Sequence, residues 1–544
     1  MDKSALSKAR ASYSQSAWVE ACEAFAFAES STALAARDLD CWATAAYLAG
    51  RDEESSDAWS RSFDAHLAAD EPELAVMSAF WSAFGLFQRG EMARGGGWVA
   101  TGYRLVDERA LDCVGVGYLA IPAGLMSLGS GEVEQARQHF ERSLNIAQRF
   151  DDPDLRAMAC LGIGQAKWAG GDAGDGTHRF DEVMLSVTRG KVSPVVAGIV
   201  YCAVIDGCQR AFDVERAGEW TRALNRWCDS QPQLVSYRGQ CLVHRSQVLQ
   251  MHGDIAAAVA DAEAAARWLA DPPRPAIGMA HYQLGELARL QGDLSAAERE
   301  YRRAQEHGRS PQPGLALVHL QRGEIDLAVA AVDMAVAGAG DQIALVECLP
   351  AAVEILIAAG EVERARQASD RLRRMADRGE SAYLDALALH ATGSVRFAEG
   401  DALEAMAPLR AACVQWRRLE APYQEGRARV VVALACRALG DDGTAALECE
   451  TARQTFAQIG AVVGLRLIDE FFEPATEQRL DVDLSPREVQ VLRRVSIGRT
   501  NKQIAEDLFI SVKTVERHLS NIFVKLDAPN RAAATAIAGE AGLL

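Results

Sequence analysis

The sequence contains few prolines and few aromatic residues. Its 544 residues include 16 prolines, and aromatic residues make up 7% of the chain, whereas alanine, leucine, arginine and glutamate are abundant. This balance favours helix along most of the chain. The twelve cysteines are scattered, with no C-x-x-C pair and no Cys/His cluster at zinc spacing. We therefore expect buried, reduced thiols in a cytosolic protein and no metal site.

The chain also lacks an apolar stretch suited to a membrane. No signal-peptide pattern occurs at its beginning, where Glu20, Glu23 and Glu29 interrupt the first apolar windows. The longest uncharged run, residues 113–131, contains Pro122 and five glycines, which argue against a bilayer span. We interpret this run as a buried helix and expect a cytoplasmic protein without a membrane partner.

Motifs for nucleotide binding and catalysis are missing as well. No G-x-x-x-x-G-K-[ST] is present, the glycines at 95–97 lack a following lysine, and Gly190-Lys191 precedes Val192, which has no hydroxyl for magnesium. There is no aspartate-rich receiver-like segment at the N-terminus and no nucleophile–base–acid set. The sequence therefore predicts no catalytic residue, no cofactor and no enzyme. An enzyme within the divergent residues 1–130 is an open alternative.

A local pattern recurs about every 40 residues along the first 470 positions. A glycine is followed by an acidic residue, and a small residue lies five positions after the glycine. A left-handed glycine would end one helix, and the acidic residue would cap the next. Small residues seven positions before the glycine would let the two helices approach closely. The glycines are Gly131, Gly253, Gly292, Gly323, Gly360, Gly400 and Gly440, with looser fits at Gly50, Gly90 and Gly171, and Phe212 occupies a degenerate slot.

This pattern resembles the tetratricopeptide repeat. The order and spacing that carry the resemblance are those of Gly285, Ala297, Tyr301 and Ala304, and of Gly124, Ala136 and Phe140. It covers most of residues 40–460, with units longer than the usual length of about 34 residues. The resemblance implies a long concave surface suited to a peptide, a protein or a small effector. We interpret five tryptophans of this region as packing residues, namely Trp42, Trp81, Trp168, Trp268 and Trp416.

The last 60 residues differ from the rest in charge. The chain has a net charge of −18, yet residues 484–534 contain nine basic and five acidic residues, which leaves +4 in that segment. A basic segment on an acidic body suggests a small DNA-binding domain. The segment carries three helix starts, at the capping boxes Ser485/Glu488 and Thr500/Gln503 and at Ser511.

The helix that follows Ser511 is amphipathic. Its apolar stripe is predicted to contain Val515, Leu519, Ile522 and Leu526, and the first helix should bury Val489, Leu492 and Val495. The opposite face of the Ser511 helix carries Lys513, Arg517, Ser520 and Asn521. A short helix, a tight turn at 509–510 and a second helix with a polar face match the geometry that enters a major groove.

Over its whole length, this segment resembles the LuxR/FixJ-type helix-turn-helix. The matching residues are Pro486-Arg487-Glu488, Val491-Leu492, Gly498, Asn501, Ile504-Ala505, Ser511, Lys513-Thr514-Val515, His518, Ile522, Lys525-Leu526 and Arg531. The resemblance implies a four-helix domain whose third helix reads double-stranded DNA and whose fourth supports a homodimer. By position, Lys513 and Thr514 would contact phosphates, Lys502 and Lys525 would clamp the backbone, and Glu516, Arg517 and Ser520 would face base edges.

The sequence thus predicts an all-α protein in three parts. These are a tetratricopeptide-like helical solenoid (1–470), a linker (471–483) and a small four-helix helix-turn-helix domain (484–544). The predicted function is a transcription regulator that binds promoter DNA and senses a protein, peptide or small-molecule effector on its repeats. This arrangement is similar to the sensor and output parts of the maltose-regulon activator family without its ATPase module. The alternative is a repeat scaffold whose C-terminal domain serves dimerisation only.

Overall fold

The computed structural model describes residues 2–472 and 484–540, apart from positions 232, 271–273, 275, 341, 378–380, 497, 509, 527 and 529. Within these residues the protein has 29 α-helices and no strand, which confirms the all-α prediction. The chain divides into two compact units, Met1–Gly464 and Leu465–Leu544. Nearly all of the predicted linker lies outside the described residues; its first two positions, 471 and 472, end a helix.

The first 25 helices follow one another closely along the sequence. In chain order they are α1 (Asp2–Ser14), α2 (Trp18–Glu29), α3 (Ala36–Leu48), α4 (Asp52–Ala68), α5 (Pro72–Gln88), α6 (Met92–Arg109), α7 (Gly115–Gly129), α8 (Val133–Phe150), α9 (Pro153–Ala169), α10 (Ala173–Thr188), α11 (Pro194–Arg210), α12 (Val214–Asp229), α13 (Arg238–Met251), α14 (Ile255–Ala270), α15 (Ile277–Leu290), α16 (Leu294–Glu306), α17 (Gly314–Gln321), α18 (Ile325–Gly338), α19 (Gln342–Ala358), α20 (Val362–Ala376), α21 (Ala382–Ala398), α22 (Ala402–Arg418), α23 (Pro422–Ala438), α24 (Asp442–Ile459) and α25 (Val462–Phe472).

From α3 to α24, each odd-numbered helix packs against the even-numbered helix that follows it. The repeat glycines between the paired helices all have left-handed backbones, with φ between 75° and 92°, as predicted. Phe212 adopts the same conformation in its slot, at φ 54°. Within the uncharged run 113–131, Gly115–Gly129 forms α7, whose interior contains Pro122 and which buries eight residues, whereas Leu125 and Met126 are exposed.

The predicted capping of the second helices holds for aspartate and is wrong for glutamate. Asp172, Asp213, Asp254, Asp293, Asp401 and Asp441 each accept a hydrogen bond from the backbone amide three residues on. Four glutamates at the same position make no such bond, namely Glu91, Glu132, Glu324 and Glu361. The extra methylene of glutamate carries its carboxylate past the amide. The carboxylate then interacts with the helix only through its electrostatic attraction to the positive N-terminus.

We expect this difference to be measurable. Asp293 accepts from the Ala296 amide at 2.9 Å, so Asp293→Ala should destabilise α16 by about 1 kcal/mol. Glu361→Ala, at the matching position of α20, should change stability by less than about 0.5 kcal/mol. Native-state hydrogen exchange of the two helices measures both effects. Equal losses of protection in α16 and α20 would contradict this assignment.

Small residues let neighbouring helices approach closely, as predicted. The fully buried ring of Phe140 on α8 packs against Gly124 of α7 and Gly162 of α9. A Cβ on Gly124 would lie 2.6 Å from that ring, and one on Gly162 would overlap it. The ring of Tyr301 lies in the same way against Gly285, where a Cβ would lie 2.7 Å away. The aromatic side chain of each unit therefore fills the space that its glycines leave.

The prediction for the tryptophans is correct for two, partly correct for two and wrong for one. Trp42 and Trp416 are buried, and Trp81 and Trp168 are half-buried. Trp268 is 37% exposed. It lies at the edge of the buried stripe of α14, which contains Ala258, Ala262 and Ala265. All twelve cysteines are free thiols, and nine of them are buried.

The repeat array folds back on itself, so residues about 200 positions apart meet. The Val19 amide donates to Gln233 Oε1 at 2.9 Å, and the Val235 amide donates to the Leu48 carbonyl at 2.9 Å. Further along, Ser381 Oγ donates to the Phe212 carbonyl at 2.8 Å. These hydrogen bonds bring early and later repeats into contact. No helix in the described part of the chain combines the length and apolar character of a membrane span.

Candidate nucleic-acid interface

The second compact unit contains four helices after α25: α26 (Pro486–Ser496), α27 (Asn501–Asp507), α28 (Val512–Lys525) and α29 (Arg531–Glu540). Ser485 and Glu488 form the predicted capping box, because the Ser485 amide donates to Glu488 Oε2 at 2.8 Å and the Glu488 amide donates to Ser485 Oγ at 3.3 Å. The buried face of α26 consists of Glu488, Val491, Leu492 and Val495. Val489, predicted to be internal, is half-buried, because Glu488 faces the core in its place in the first turn of α26.

The pair α27 and α28 has the predicted helix-turn-helix order. Thr500 and Gln503 form a complete capping box at the start of α27. Ser511 caps α28, accepting from the Thr514 amide at 3.1 Å. Phe509, in the predicted tight turn, lies outside the described residues. The apolar stripe of α28 is buried as predicted, at Val515, Leu519, Ile522 and Leu526.

The opposite side of α28 faces solvent. We call its exposed residues the reading face; they are Lys513, Glu516, Arg517, Ser520 and Asn521. Spacings of three and four residues place them on one side of the helix. Lys502 of α27 is also exposed, and Thr514 is half-buried, with its hydroxyl 2.7 Å from that of Ser511. Within the described chain, no hydrogen bond or ion pair engages the side chains of Lys502, Lys513 or Arg517, so these cations are available to a ligand.

One residue of this side was missed from the sequence. Val524 is 82% exposed and lies seven positions after Arg517, two helical turns further along the same side. Helical periodicity places this β-branched residue on the polar face, so its exposure could have been predicted from the sequence. An apolar group among polar ones can contact the methyl group of thymine.

Lys525 has a structural role that was also missed. Its Nζ lies 2.8 Å from Glu488 Oε2, and the Glu488 side chain is 4% exposed. This ion pair joins the end of α28 to the start of α26. Burial alone would raise the pKa of Glu488, but hydrogen bonds from Lys525 and Ser485 outweigh it and lower that pKa to about 2. Lys525 is 38% exposed, so the expected contact with the DNA backbone is available only from the edge of the reading face.

The low pKa of Glu488 predicts acid sensitivity of this unit. A carboxylate whose pKa is lowered on folding stabilises the folded state above its unfolded pKa, and this stabilisation is lost as pH falls through the folded pKa. From an ordinary value of 4.5 to about 2, the stabilisation amounts to at most about 3 kcal/mol. The protection factors of amides in α26 and α28, which allow for the intrinsic pH dependence of exchange, should therefore fall between pH 4.5 and about 2.

A matched pair of variants isolates this effect. Lys525→Met keeps the side-chain length and removes the charge, so it should weaken the acid dependence of α26 and α28. Glu516→Gln removes an exposed carboxylate of the reading face and should leave the acid dependence unchanged. An unchanged pH profile in Lys525→Met would mean that the ion pair does not stabilise the unit.

A second contact holds α29 in place. Arg531 Nη1 donates to Asn501 Oδ1 at 3.0 Å, and Arg531 also donates to the Arg499 carbonyl. Asn501 is the first residue of α27, so the bond ties the fourth helix to the first turn of the helix-turn-helix. Both residues therefore support the geometry of the unit.

Comparison with known proteins identifies this unit. Residues 482–538 match the family described as "Bacterial regulatory proteins, luxR family". The transcriptional regulatory protein LiaR of Bacillus subtilis is 46% identical over 55 residues, which cover 10% of this chain and 26% of LiaR. A nitrate/nitrite response regulator protein homolog of Haemophilus influenzae is 48% identical over 54 residues, again 10% of this chain and 26% of that protein. The chain spans about a quarter of the length of these relatives.

The repeat array is distantly similar to solved structures. The crystal structure of the APC/C hetero-tetramer Cut9-Hcn1 aligns with a TM-score of 0.42 and 11% identity, over 87% of this chain and 94% of that chain. A similarity of this size carries no conclusion about partners or ligands.

Proposed function

Because residues 482–538 form a LuxR-family helix-turn-helix domain, we propose that the protein is a transcription regulator that binds promoter DNA through α28. The observation that carries the proposal is the reading face, where Lys513 and Arg517 project from a helix whose other side is core. A helix with this division of faces, preceded by a short helix and a turn, fits the major groove.

The residues of the interface divide into two roles. Lys502, Lys513 and Thr514 contact phosphates near the start of α28, where lysines bind DNA of any sequence. Glu516, Arg517, Ser520 and Asn521 face base edges, and a carboxylate at Glu516 can accept from cytosine N4. Lys525 reaches the backbone only from the edge, because its ammonium also holds Glu488.

The repeat array is the sensing part of this regulator. A helical solenoid offers a concave surface on which a protein, peptide or small effector can bind. We propose a homodimer on DNA, since two recognition helices related by a two-fold axis read two half-sites of one operator. The protein acts in the cytoplasm, where its DNA partner lies.

Selection of duplexes from a random library by the full-length protein tests this function. We expect enrichment of one motif with two related half-sites and an affinity that falls steeply as salt rises. The variant Lys513→Ala/Arg517→Ala should lose this enrichment, whereas Arg493→Ala/Arg494→Ala, which removes two arginines of α26 outside the reading face, should keep it. No enrichment, together with a dimer that persists without DNA, would favour the scaffold alternative.

A further inference from the structure

A cavity of about 180 Å³ is lined by residues of the first repeats together with Asp154, Ser193 and Val195. Residues of α1, α3, α4, α5, α9 and α11 line it. Its walls therefore belong to helices that are up to 180 positions apart in the sequence and meet only because the array curves.

One wall of the cavity is aromatic. The rings of Trp59 and Trp81 stack with their centroids 6.4 Å apart, and Phe84 meets Trp81 edge-on at 5.6 Å. Tyr47 continues the wall, 6.3 Å from Phe84, and Tyr13 lies beside it. All five rings line the cavity. Such a surface packs against apolar groups and attracts cations to the ring faces.

The charges around the cavity do not cancel. Asp52 is paired with Arg274 at 3.3 Å, and Arg89 is paired with Glu91 at 2.8 Å. Asp154 has no cationic partner among the described residues, and its Oδ1 accepts from the Ser193 amide at 2.7 Å. Among the described lining residues, Asp52 and Asp154 are acidic and Arg89 is basic, so the lining carries one net negative charge. Burial raises the pKa of Asp154, although hydrogen bonds from Ser193 partly oppose this rise.

Two further residues point to an unfilled site. Ser82 is 2% exposed, lines the cavity, and its hydroxyl has no hydrogen-bond partner in the described protein. Buried hydroxyls are normally bonded, because an unsatisfied one costs about 1–3 kcal/mol. Gly85 also lines the cavity, and a Cβ placed on it would meet nothing within 4 Å. The cavity thus has both a free polar group and free space.

We propose that this cavity binds a small organic ammonium ion with an aromatic or apolar body. The ammonium group lies by Asp154, the body lies against Trp59 and Trp81, and Ser82 supplies a hydrogen bond. The proposal rests on the effector sensing proposed above and names its ligand class. A small anion fits less well, because Arg89, the one cation among the described lining residues, already binds Glu91 and the Asp52 carbonyl.

Three compounds of similar size and different charge test the proposal. These are 2-phenylethylamine, protonated at pH 7, neutral 2-phenylethanol and anionic 3-phenylpropionate. Titration calorimetry on the full-length protein, without DNA, should show the amine binding at least tenfold more tightly than the alcohol, with no binding of the acid. Equal binding of all three, tighter binding of the acid, or no binding of the amine would overturn the proposal.

Matched variants locate the site. Gly85→Phe should fill the cavity and abolish amine binding, whereas Gly96→Phe, at a helical glycine of α6 that also has open space, should leave it unchanged. Asp154→Asn keeps an oxygen for the Ser193 amide and should weaken amine binding at least tenfold without affecting the alcohol. Amine binding that survives Gly85→Phe would place the ligand elsewhere. Since no DNA is present, failure here is distinguishable from failure of the proposed DNA binding.

Discussion

Replacement of Arg517 by alanine is expected to weaken binding to the selected operator by about 1–3 kcal/mol and to leave random duplex almost unaffected. Arg517 is exposed one turn after Lys513, on the side of α28 opposite Val515 and Leu519. Its guanidinium has no partner within the described chain, so it can form a bidentate pair with guanine O6 and N7. Preference at one base pair per half-site should disappear. Titration of operator and scrambled duplexes at two salt concentrations measures this selectivity.

Two control variants, one at an arginine and one at a lysine, separate recognition of a base from a general effect of positive charge. Arg493→Ala removes an exposed arginine of α26 and should change neither affinity by more than about twofold. Lys513→Ala should weaken operator and scrambled duplex about equally and lower the salt dependence, as expected of a phosphate contact. If Arg517→Ala lost affinity equally for both duplexes, Arg517 would be a phosphate contact. Recognition of the base pair would then belong to another residue of the reading face.

The largest loss of stability is expected from Phe140→Ala. The Phe140 ring is fully buried between α7 and α9, and two glycines leave the space that it fills. Removal of a buried phenyl ring costs about 3–5 kcal/mol, because the cavity collapses only partly. In a repeat array each unit contacts mainly its neighbours, so protection from hydrogen exchange should fall most in α7, α8 and α9.

Phe150 provides a control on the same helix. Its ring is 40% exposed, so Phe150→Ala should cost less than about 1 kcal/mol. Gly162→Ala offers a second check, because its added methyl overlaps the Phe140 ring in the natural protein. We expect it to destabilise the protein alone and to restore part of the stability lost in Phe140→Ala. Equal costs of Phe140→Ala and Phe150→Ala would contradict this packing.

Local features were predictable from the sequence wherever the interacting groups lie within a few residues. The left-handed turns, the aspartate caps, the capping boxes at Ser485 and Thr500 and the buried stripe of α28 all belong to this class. The reading face follows from the same helical period. The predicted glutamate caps do not form, because side-chain length as well as charge decides whether the carboxylate reaches the amide.

What the sequence by itself determined is the set of helices, their turns and the amphipathic helix proposed to meet DNA, because backbone hydrogen bonds and the helical period act over one or two turns. Only the tertiary structure decided which distant groups meet. It paired Lys525 with Glu488, 37 positions away, and left Trp268 outside the core. It also gathered five aromatic rings, Ser82 and Asp154 around one cavity. Such contacts depend on how helices pack and how the array curves, and no short-range pattern records that geometry.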